Sequence, residues 1–422
     1  MALDKRWGKN EFGGILGVSD QRLNIAYLCD YSPLDPYMYS GGNRRIHDAL
    51  SRHVGDVTIL SQGWGLAEPV RRAIRRLPDS AARRLRWRAH LALAPLISRR
   101  VEAELAEGRF DVLFCAYSFH SLLNVSVPPG CVTAFASDAT HTIYRTSDIG
   151  AAYPSKFPGG RAFDGWVERC EARVYRSVDR LFWPSRWLKA EADALYGLAE
   201  EKSLMVPWGA GLGPMPRPAV RPLCRGQPLR LLLIGRDWFG KGGPIAFDTM
   251  KALRARGIDA RLTVIGCIPP ESHRNEWVTI HPSLDKTRAD EARIFEDAFD
   301  EAHFLVQPSM ESYGFAFCEA SAYGLPALCL DVGGVPVFDG ENGHALPKGS
   351  TPDQFADVIE GYLNDPGAHA ALSKSAREIF EARLNWDAWG QSVGAELRAA
   401  LNEQRSHSVA LGGPALLRPL QG

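Results

Sequence analysis

The first uninterrupted apolar run, LNIAYLCD (23–30), has the length and even hydrophobicity of a buried strand. A loop, YSPLDPYMYSGG, follows it, then an amphipathic stretch over 43–54 and a second strand at VTIL (57–60). Strand, glycine turn, helix and strand make a βαβ unit, which implies a parallel sheet. Further strands are predicted at DVLFCAY (111–117), CVTAFAS (131–137), RLFWPS (180–185) and SLMVPWG (203–209), with a helix over 187–196. Periodicity then stops. The stretch GAGLGPMPRPAVRPLCRGQP (209–228) is rich in glycine and proline and reads as a linker between domains.

Beyond the linker the alternation restarts with strand LRLLLIG, a glycine-rich turn, a helix through GPIAFDTMKALRARG and strand ARLTVIG. WVTIHP, a charged helix over 288–300, HFLVQP, a helix carrying Glu319 and PALCLD continue the series, and a later helix is expected over 352–363. Two successive α/β sets predict two Rossmann-like domains facing a central cleft. The expected boundaries are a leader at 1–22, a first domain at 23–208, the linker at 209–228 and a second domain at 229–385. A C-terminal helix at 386–404 and a flexible tail at 405–422 complete the chain.

Composition agrees with two domains. A chain of 422 residues exceeds what one hydrophobic core usually supports, and 45% hydrophobic residues supply material for two. Forty-nine basic residues balance forty-nine acidic ones, so no global field points to nucleic acid as a partner. Eight cysteines show no C-x-x-C pair or metal-ligand spacing, and several sit in apolar runs as small core residues. That suits a reducing compartment, and with no signal-peptide core or membrane-length run the expected location is cytoplasmic. Charge is uneven in one place. The segment 69–100 holds ten arginines and one acid, interleaved with Trp87, Leu91, Leu93, Leu96 and Ile97 and broken by Pro78 and Pro95. It suits either a solvated helical face or peripheral contact with anionic lipid at the inner face of a membrane.

Two stretches of the second domain carry the candidate chemistry. LIGRDWFGKGG places Gly235, Arg236, Lys241, Gly242 and Gly243 between a strand and a helix. Glycines let a ligand approach the backbone, the helix start offers free N–H groups, and two cations add fixed charge, a combination suited to a diphosphate. The same letters fit an ordinary βα turn with two solvated cations. They match neither the P-loop nor the dinucleotide fingerprint. In MESYGFAFCEA (310–320), Glu311 should stand at the carboxyl end of a strand, and Phe315, Glu319 and Tyr323 should share one helical face. The helix itself offers Glu319 no cation, and a buried unpaired carboxylate costs several kcal/mol, so a ligand hydroxyl is its expected partner. At roughly 12 Å along a helix, Glu311 and Glu319 are no acid/base pair of glycosidase type.

The segment from LVQPSMESYGF to DGENGHALP resembles the E-x7-E region of glycosyltransferase family 4, retaining enzymes of the GT-B fold. GRDWFGKGG is similar to that family's glycine-rich Arg/Lys loop, and YSGGNRRIHDAL to its N-terminal glycine loop. After Gly333–Gly334 the family often carries Pro-Glu, whereas here Pro336 precedes Val337, so no third acidic contact is carried over. The resemblance implies that the first domain takes the acceptor and the second a nucleotide diphosphate sugar. Glu311 would bind the transferred sugar, with backbone N–H groups of Tyr313, Gly314 and Phe315. Glu319 would hold the ribose, Arg236 and Lys241 would neutralise the leaving diphosphate, and Gly41 and Gly42 would close over it. Family members commonly carry a His or Asp after the strand AFAS. Asp138 matches best and His141 next, though an Asp ahead of ATHTIY also suits a helix cap. His120 is read as structural.

The implied reaction moves a hexose from a UDP- or GDP-sugar to a glycan or lipid-linked acceptor with retention, in polysaccharide or surface-glycan assembly. With no D-x-D and no Cys/His cluster, no metal or other cofactor is expected, and the two cations stand in for one. The rivals are another GT-B enzyme, such as a phosphorylase or epimerase, and a non-catalytic protein that binds sugar nucleotides.

Overall fold

The computed structural model describes residues 21–36, 38–152, 161–212, 215–218, 222–411 and 418–419. The side chains of 79, 80, 83, 84, 152, 161, 162 and 407 onward are outside the description. The expected leader lies outside the described residues except for 21 and 22, as do 213, 214 and 219–221 of the linker and most of the tail beyond 411.

The central strands of both sheets are apolar runs buried on both faces, which is why these segments read as continuous hydrophobic stretches, while the outer strands are part-exposed. In chain order the strands are β1 (Leu23–Leu28), β2 (Gly55–Ile59), β3 (Val112–Ala116), β4 (Ser126–Val127), β5 (Val132–Ala136), β6 (Arg180–Trp183) and β7 (Ser203–Met205). After the linker come β8 (Leu229–Ile234), β9 (Ala260–Ile265), β10 (Val278–His281), β11 (Phe304–Val306), β12 (Ala327–Leu330), β13 (Gly343–Leu346) and the short β14 (Arg418–Pro419). One sheet has the order β2-β1-β3-β5-β6-β7 and the other β10-β9-β8-β11-β12-β13, each parallel throughout. β4 and β14 form a separate antiparallel ribbon. This is the expected pair of Rossmann-like α/β units, and the second sheet has the doubly wound order of a dinucleotide-binding fold.

Strand order reverses between β1 and β3 in the first sheet and between β8 and β11 in the second. Crevices outside the carboxyl ends of strands at such points are where open α/β sheets bind ligands. The loops after β1, β8 and β11 carry Gly41–Gly42, Gly235–Lys241 and Glu311 respectively.

The halves share a core. Tyr313, Cys318 and Ala322 of the second pack with Ile25, Ile46, Phe114 and Trp208 of the first. In return Ile149, on the short helix Asp148–Ala152, is buried among Val332, Leu330 and Leu231 of the second half. The last helix, Trp386–Leu411, returns to the helix Gly42–His53 and adds Trp389, Val393 and Leu397 to that core. It also runs seven residues past the end expected at 404, into the stretch read as a loose tail. Seven of the eight cysteines are buried and all are free thiols; Cys224 is the exposed one.

Candidate functional site

The turn after β8 is shaped around one lysine. A Cβ on Gly235 would lie 2.3 Å from Lys241 Cγ, so only glycine leaves room for the lysine chain to fold back across the turn. Gly242 (φ 75) abuts the Pro308 carbonyl, and a Cβ on Gly243 would meet the Trp238 ring at 2.2 Å. The glycines therefore serve close internal packing as well as any ligand. Folded back, Lys241 Nζ lies 2.9 Å from Glu311 Oε2. Gln307 Nε2 donates to the other carboxylate oxygen at 2.9 Å, and Ser309 Oγ does so at 2.6 Å. Burial alone would raise the Glu311 carboxyl. Lys241, Ser309 and Gln307 outweigh it and hold the group below the usual glutamate range. Glu311 is thus a fixed, ionised carboxylate at the switch point of the second sheet. Arg236 is exposed and forms no ion pair among the described residues, so the structure leaves it outside this cluster.

The helix Phe315–Ala322 starts at Gly314, whose φ of 96 and ψ of 89 suit glycine alone, and no side chain caps its first turn. Phe315 stacks on Trp208 of the first half with 5.9 Å between centroids, and its Cζ would touch a Cβ on Gly42 at 3.2 Å. Tyr313 is buried, and its hydroxyl donates to the Trp208 carbonyl at 2.7 Å. Tyr323 does not join Phe315 and Glu319. It ends the helix and stacks on Phe299 at 4.7 Å within the second core.

Glu319 is buried and its own helix offers it no cation, but it is not left for a ligand hydroxyl alone, because cations reach it from elsewhere in the chain. Lys286, after β10, places its ammonium 3.5 Å from Glu319 Oε1, and Arg45 of the helix Gly42–His53 acts on it electrostatically. Arg45 also donates to the Gly211 carbonyl at 2.8 Å, and a Cβ on Gly211 would sit 2.5 Å from Glu319 Oε1. Helix, crossover segment and Glu319 thus meet at one point. Neither partner had a local sequence signal, because Lys286 precedes the glutamate by 33 positions and Arg45 comes from the other half.

On the first half, Ser312 Oγ donates to Asp138 Oδ2 at 2.8 Å, a bond across the cleft one residue from Glu311. Burial raises the Asp138 carboxyl and the Glu311 charge adds to the rise, while the Ser312 bond opposes it. The capping alternative for Asp138 is excluded. Thr140 caps the helix His141–Thr146, its hydroxyl accepting from Ile143 N at 3.1 Å. His141 instead stacks on Trp87 at 4.6 Å, and burial with the nearby Arg145 pushes its imidazole down to about 4, so it is neutral at pH 7. The backbone N–H of His141 donates to Glu171 at 2.6 Å, and Thr142 and Tyr196 also bond that buried carboxyl.

Pro78 and Pro95 do interrupt the basic segment, giving helices Glu68–Ile74, Asp79–Ala92 and Ala94–Glu107. Its described arginines point in different directions, and Arg71 and Arg100 pair with Glu68 and Glu104. Arg72, Arg75 and Arg76 are exposed, as are Leu66, Val70, Leu77 and Leu85. Arg86 turns inward over the Tyr31 ring at 4.1 Å, and Arg88 lies 4.7 Å from the Phe163 ring. Among the described residues no helix is long and apolar enough to cross a membrane, and no His, Cys, Asp or Glu side chains group as metal ligands.

Two family models match the chain. Glycosyltransferase Family 4 covers residues 43–210, and Glycosyl transferases group 1 covers 228–365. A D-inositol 3-phosphate glycosyltransferase of Arthrobacter sp. is 29% identical over 74% of this chain and 76% of its own. One from Xylanimonas cellulosilytica is 27% identical over 68% and 72%. Sucrose-phosphate synthase from Thermosynechococcus elongatus superposes with a TM-score of 0.60 at 18% identity, covering 90% of this chain and all of the other. HepE of Anabaena, solved with UDP and glucose, superposes with a TM-score of 0.55 at 14% identity, covering 90% and 100%.

Proposed function

Because the chain belongs to glycosyltransferase family 4 and has its GT-B fold, we propose that it transfers a hexose from a UDP- or GDP-sugar to a glycan or lipid-linked acceptor, with retention of configuration. The observation that carries this reading is the Lys241–Glu311 pair at 2.9 Å. It joins the glycine-rich turn after β8 to the loop after β11, beside a helix whose first turn no side chain caps. A structural neighbour solved with UDP and glucose supports a UDP-sugar donor, while the relatives named for D-inositol 3-phosphate support glycosyl transfer and point to a small phosphorylated acceptor rather than a glycan.

In this reading the anomeric bond breaks as positive charge grows on the sugar and negative charge on the diphosphate. Lys241, held by Glu311, and the first-turn N–H groups near Gly314 and Phe315 are fixed, so they stabilise the growing negative charge without rearranging, and the exposed Arg236 swings onto the diphosphate when the donor binds. Gly41 and Gly42 close over the diphosphate from the other half. Glu311, held ionised, accepts from sugar hydroxyls, and Glu319 exchanges Lys286 for the ribose. Asp138, across the cleft, stands on the acceptor side, with the neutral His141 farther along the same wall. The acceptor attacks from the face the diphosphate leaves. No metal or other cofactor belongs to the proposal.

A lipid-linked acceptor also gives the exposed set of Leu66, Val70, Leu77 and Leu85 with Arg72, Arg75 and Arg76 a use as a peripheral contact with anionic lipid at the cytoplasmic face. Incubation with UDP- and GDP-hexoses and assay of released nucleoside diphosphate tests the central claim. Release that vanishes in Glu311→Ala is expected. A folded protein that neither binds nor cleaves any donor overturns it.

A further inference from the structure

The loop that leads into Gly41–Gly42 is held in a conformation that its side chains disfavour. Among the described residues, four non-glycine positions have positive φ, and three of them surround this glycine pair: Tyr39 (φ 52), Ser40 (φ 53) and Tyr117 (φ 61). Left-handed backbone at bulky residues persists only where surrounding contacts over-determine it, and such strain gathers at ligand clamps.

The contacts that hold it are specific. The Tyr39 and Tyr117 rings stack with 4.1 Å between centroids. Tyr117 Oη fills the space beside Gly42, where a Cβ would lie 2.1 Å away. Tyr39 Oη donates to Asp30 Oδ1 at 2.7 Å. Asp30 is buried just past the end of β1, at the switch point of the first sheet, and its backbone N–H donates to Ser118 Oγ at 3.1 Å. Its other oxygen stands 3.6 Å from His120 Nε2, beyond hydrogen-bond length but within reach of charge. Burial pushes the Asp30 carboxyl up. His120 and Tyr39 more than reverse this and hold it at about 2, so it is an anion at every working pH. A buried carboxylate that binds one tyrosine of a strained turn needs a reason beyond packing, since an apolar pair would satisfy a core at less desolvation cost.

We propose that Asp30 and Tyr39 are positioning residues for the donor: the buried carboxylate, through the Tyr39 hydroxyl, holds the strained turn at 39–40 so that the Gly41–Gly42 backbone faces the diphosphate. This rests on the reading of that glycine pair as the element that closes over the donor. Neither side chain touches the reacting atoms. Their effect is on affinity for the diphosphate and on the KM for the donor, not on the rate of the step once the donor is bound. Asp30 acts as an acceptor oxygen, so an amide at that position keeps the function and a methyl group loses it.

The test compares Tyr39→Phe, Asp30→Asn and Asp30→Ala with the unaltered protein. Calorimetry with UDP and with GDP gives affinity, nucleoside diphosphate release from a UDP- or GDP-hexose gives KM and kcat, and a melting curve monitors the fold. Tyr39→Phe keeps the ring stack and removes one hydroxyl. It should weaken nucleotide binding and raise the donor KM by about tenfold, the usual scale of a lost hydrogen bond to a charged group, with kcat within about twofold. Asp30→Asn should retain most of the affinity that Asp30→Ala loses. The proposal is overturned if Tyr39→Phe binds as tightly as the unaltered protein, or if Asp30→Asn and Asp30→Ala lose affinity and melting temperature together. If Asp30→Ala does not fold, Tyr39→Phe alone decides. An unaltered protein that binds neither UDP nor GDP overturns the donor reading and this proposal with it. Binding by the unaltered protein with an unaffected Tyr39→Phe overturns this proposal alone.

Discussion

Lys241 Nζ stands 2.9 Å from Glu311 Oε2, and the two are joined across the switch point of the second sheet by side chains that are both largely buried. The pair fixes a charge distribution before any substrate arrives. Removing one member of a buried pair leaves the other uncompensated, at a cost of about 3–5 kcal/mol. Lys241→Met should therefore lower stability by an amount near the bottom of that range, because Ser309 and Gln307 still bond the carboxylate. The pH dependence separates the cases. In the native protein Glu311 titrates below its unfolded value, so its contribution is present above about pH 4.3 and is lost as pH falls through the folded value. Without Lys241 the largest influence holding the carboxyl down is gone, so the loss of stability on acidification should shrink. Urea midpoints from pH 3 to 8 for the two proteins check this, and parallel curves would contradict it.

Gly235 offers a finer test of the same pair. A methyl group there would lie 2.3 Å from Lys241 Cγ, so Gly235→Ala should push the lysine chain off Glu311 without removing its charge. Transfer activity is expected to fall at least about tenfold, the effect of a misplaced catalytic group, while the melting temperature changes less than in Lys241→Met. Equal activity in Gly235→Ala would mean that the lysine reaches its position by another path.

Much of this site was legible in the chain because its parts are local. Glu311 and Glu319 lie in one strand–loop–helix, and the apolar HFLVQP, the proline after it and the single charge within the helix mark each piece. The two sheets followed from alternating buried strands and helices. What was missed depends on distance along the chain. Lys286 lies in the loop after β10, the edge strand three positions from β11, so its meeting with Glu319 is a long-range contact that no periodicity encodes. Arg45 did stand in the quoted GGNRR, but its aim at Gly211 and Glu319 depends on how the halves sit. By letters alone Asp138 suited either a helix cap or a place on the acceptor side; Thr140, two residues on, takes the cap and leaves Asp138 free of it. The role of Gly235 was assigned to a ligand when its nearest neighbour is a side chain of its own turn.

Lys286 gives a prediction that the sequence could not. Its ammonium is about half exposed and 3.5 Å from Glu319, so Lys286→Met should change stability by less than about 1 kcal/mol. If the ribose replaces this lysine, the variant should bind nucleoside diphosphate as well as the unaltered protein or a few-fold more tightly. Glu319→Ala should bind it about tenfold or more weakly, the scale of lost hydrogen bonds to a charged group. Calorimetry on the two variants decides, and weaker binding in Lys286→Met would make the lysine itself a nucleotide contact.

The last prediction concerns the wall that carries Asp138 and His141. Glu171 is fully buried and accepts from the backbone of His141 and Thr142 and from the hydroxyls of Thr142 and Tyr196, so it anchors the start of the helix His141–Thr146. Burial is the largest influence on it. Despite those four bonds its carboxyl is pushed up to about 7. A folded value above the unfolded one means that the native state binds the extra proton, so stability declines as pH rises from about 4.5 through 7. The span corresponds to about 3 kcal/mol at most. Glu171→Gln keeps an oxygen acceptor for the two backbone donors and removes the charge. It should be less stable than the native protein at pH 5, where the protonated acid already fits, and should lose this deficit or reverse it by pH 8. Denaturant midpoints at the two pH values supply the measurement, with transfer activity recorded alongside. A difference between the two proteins that stays constant from pH 5 to 8 would show that Glu171 does not titrate in that window. Its four bonds would then hold it ionised throughout.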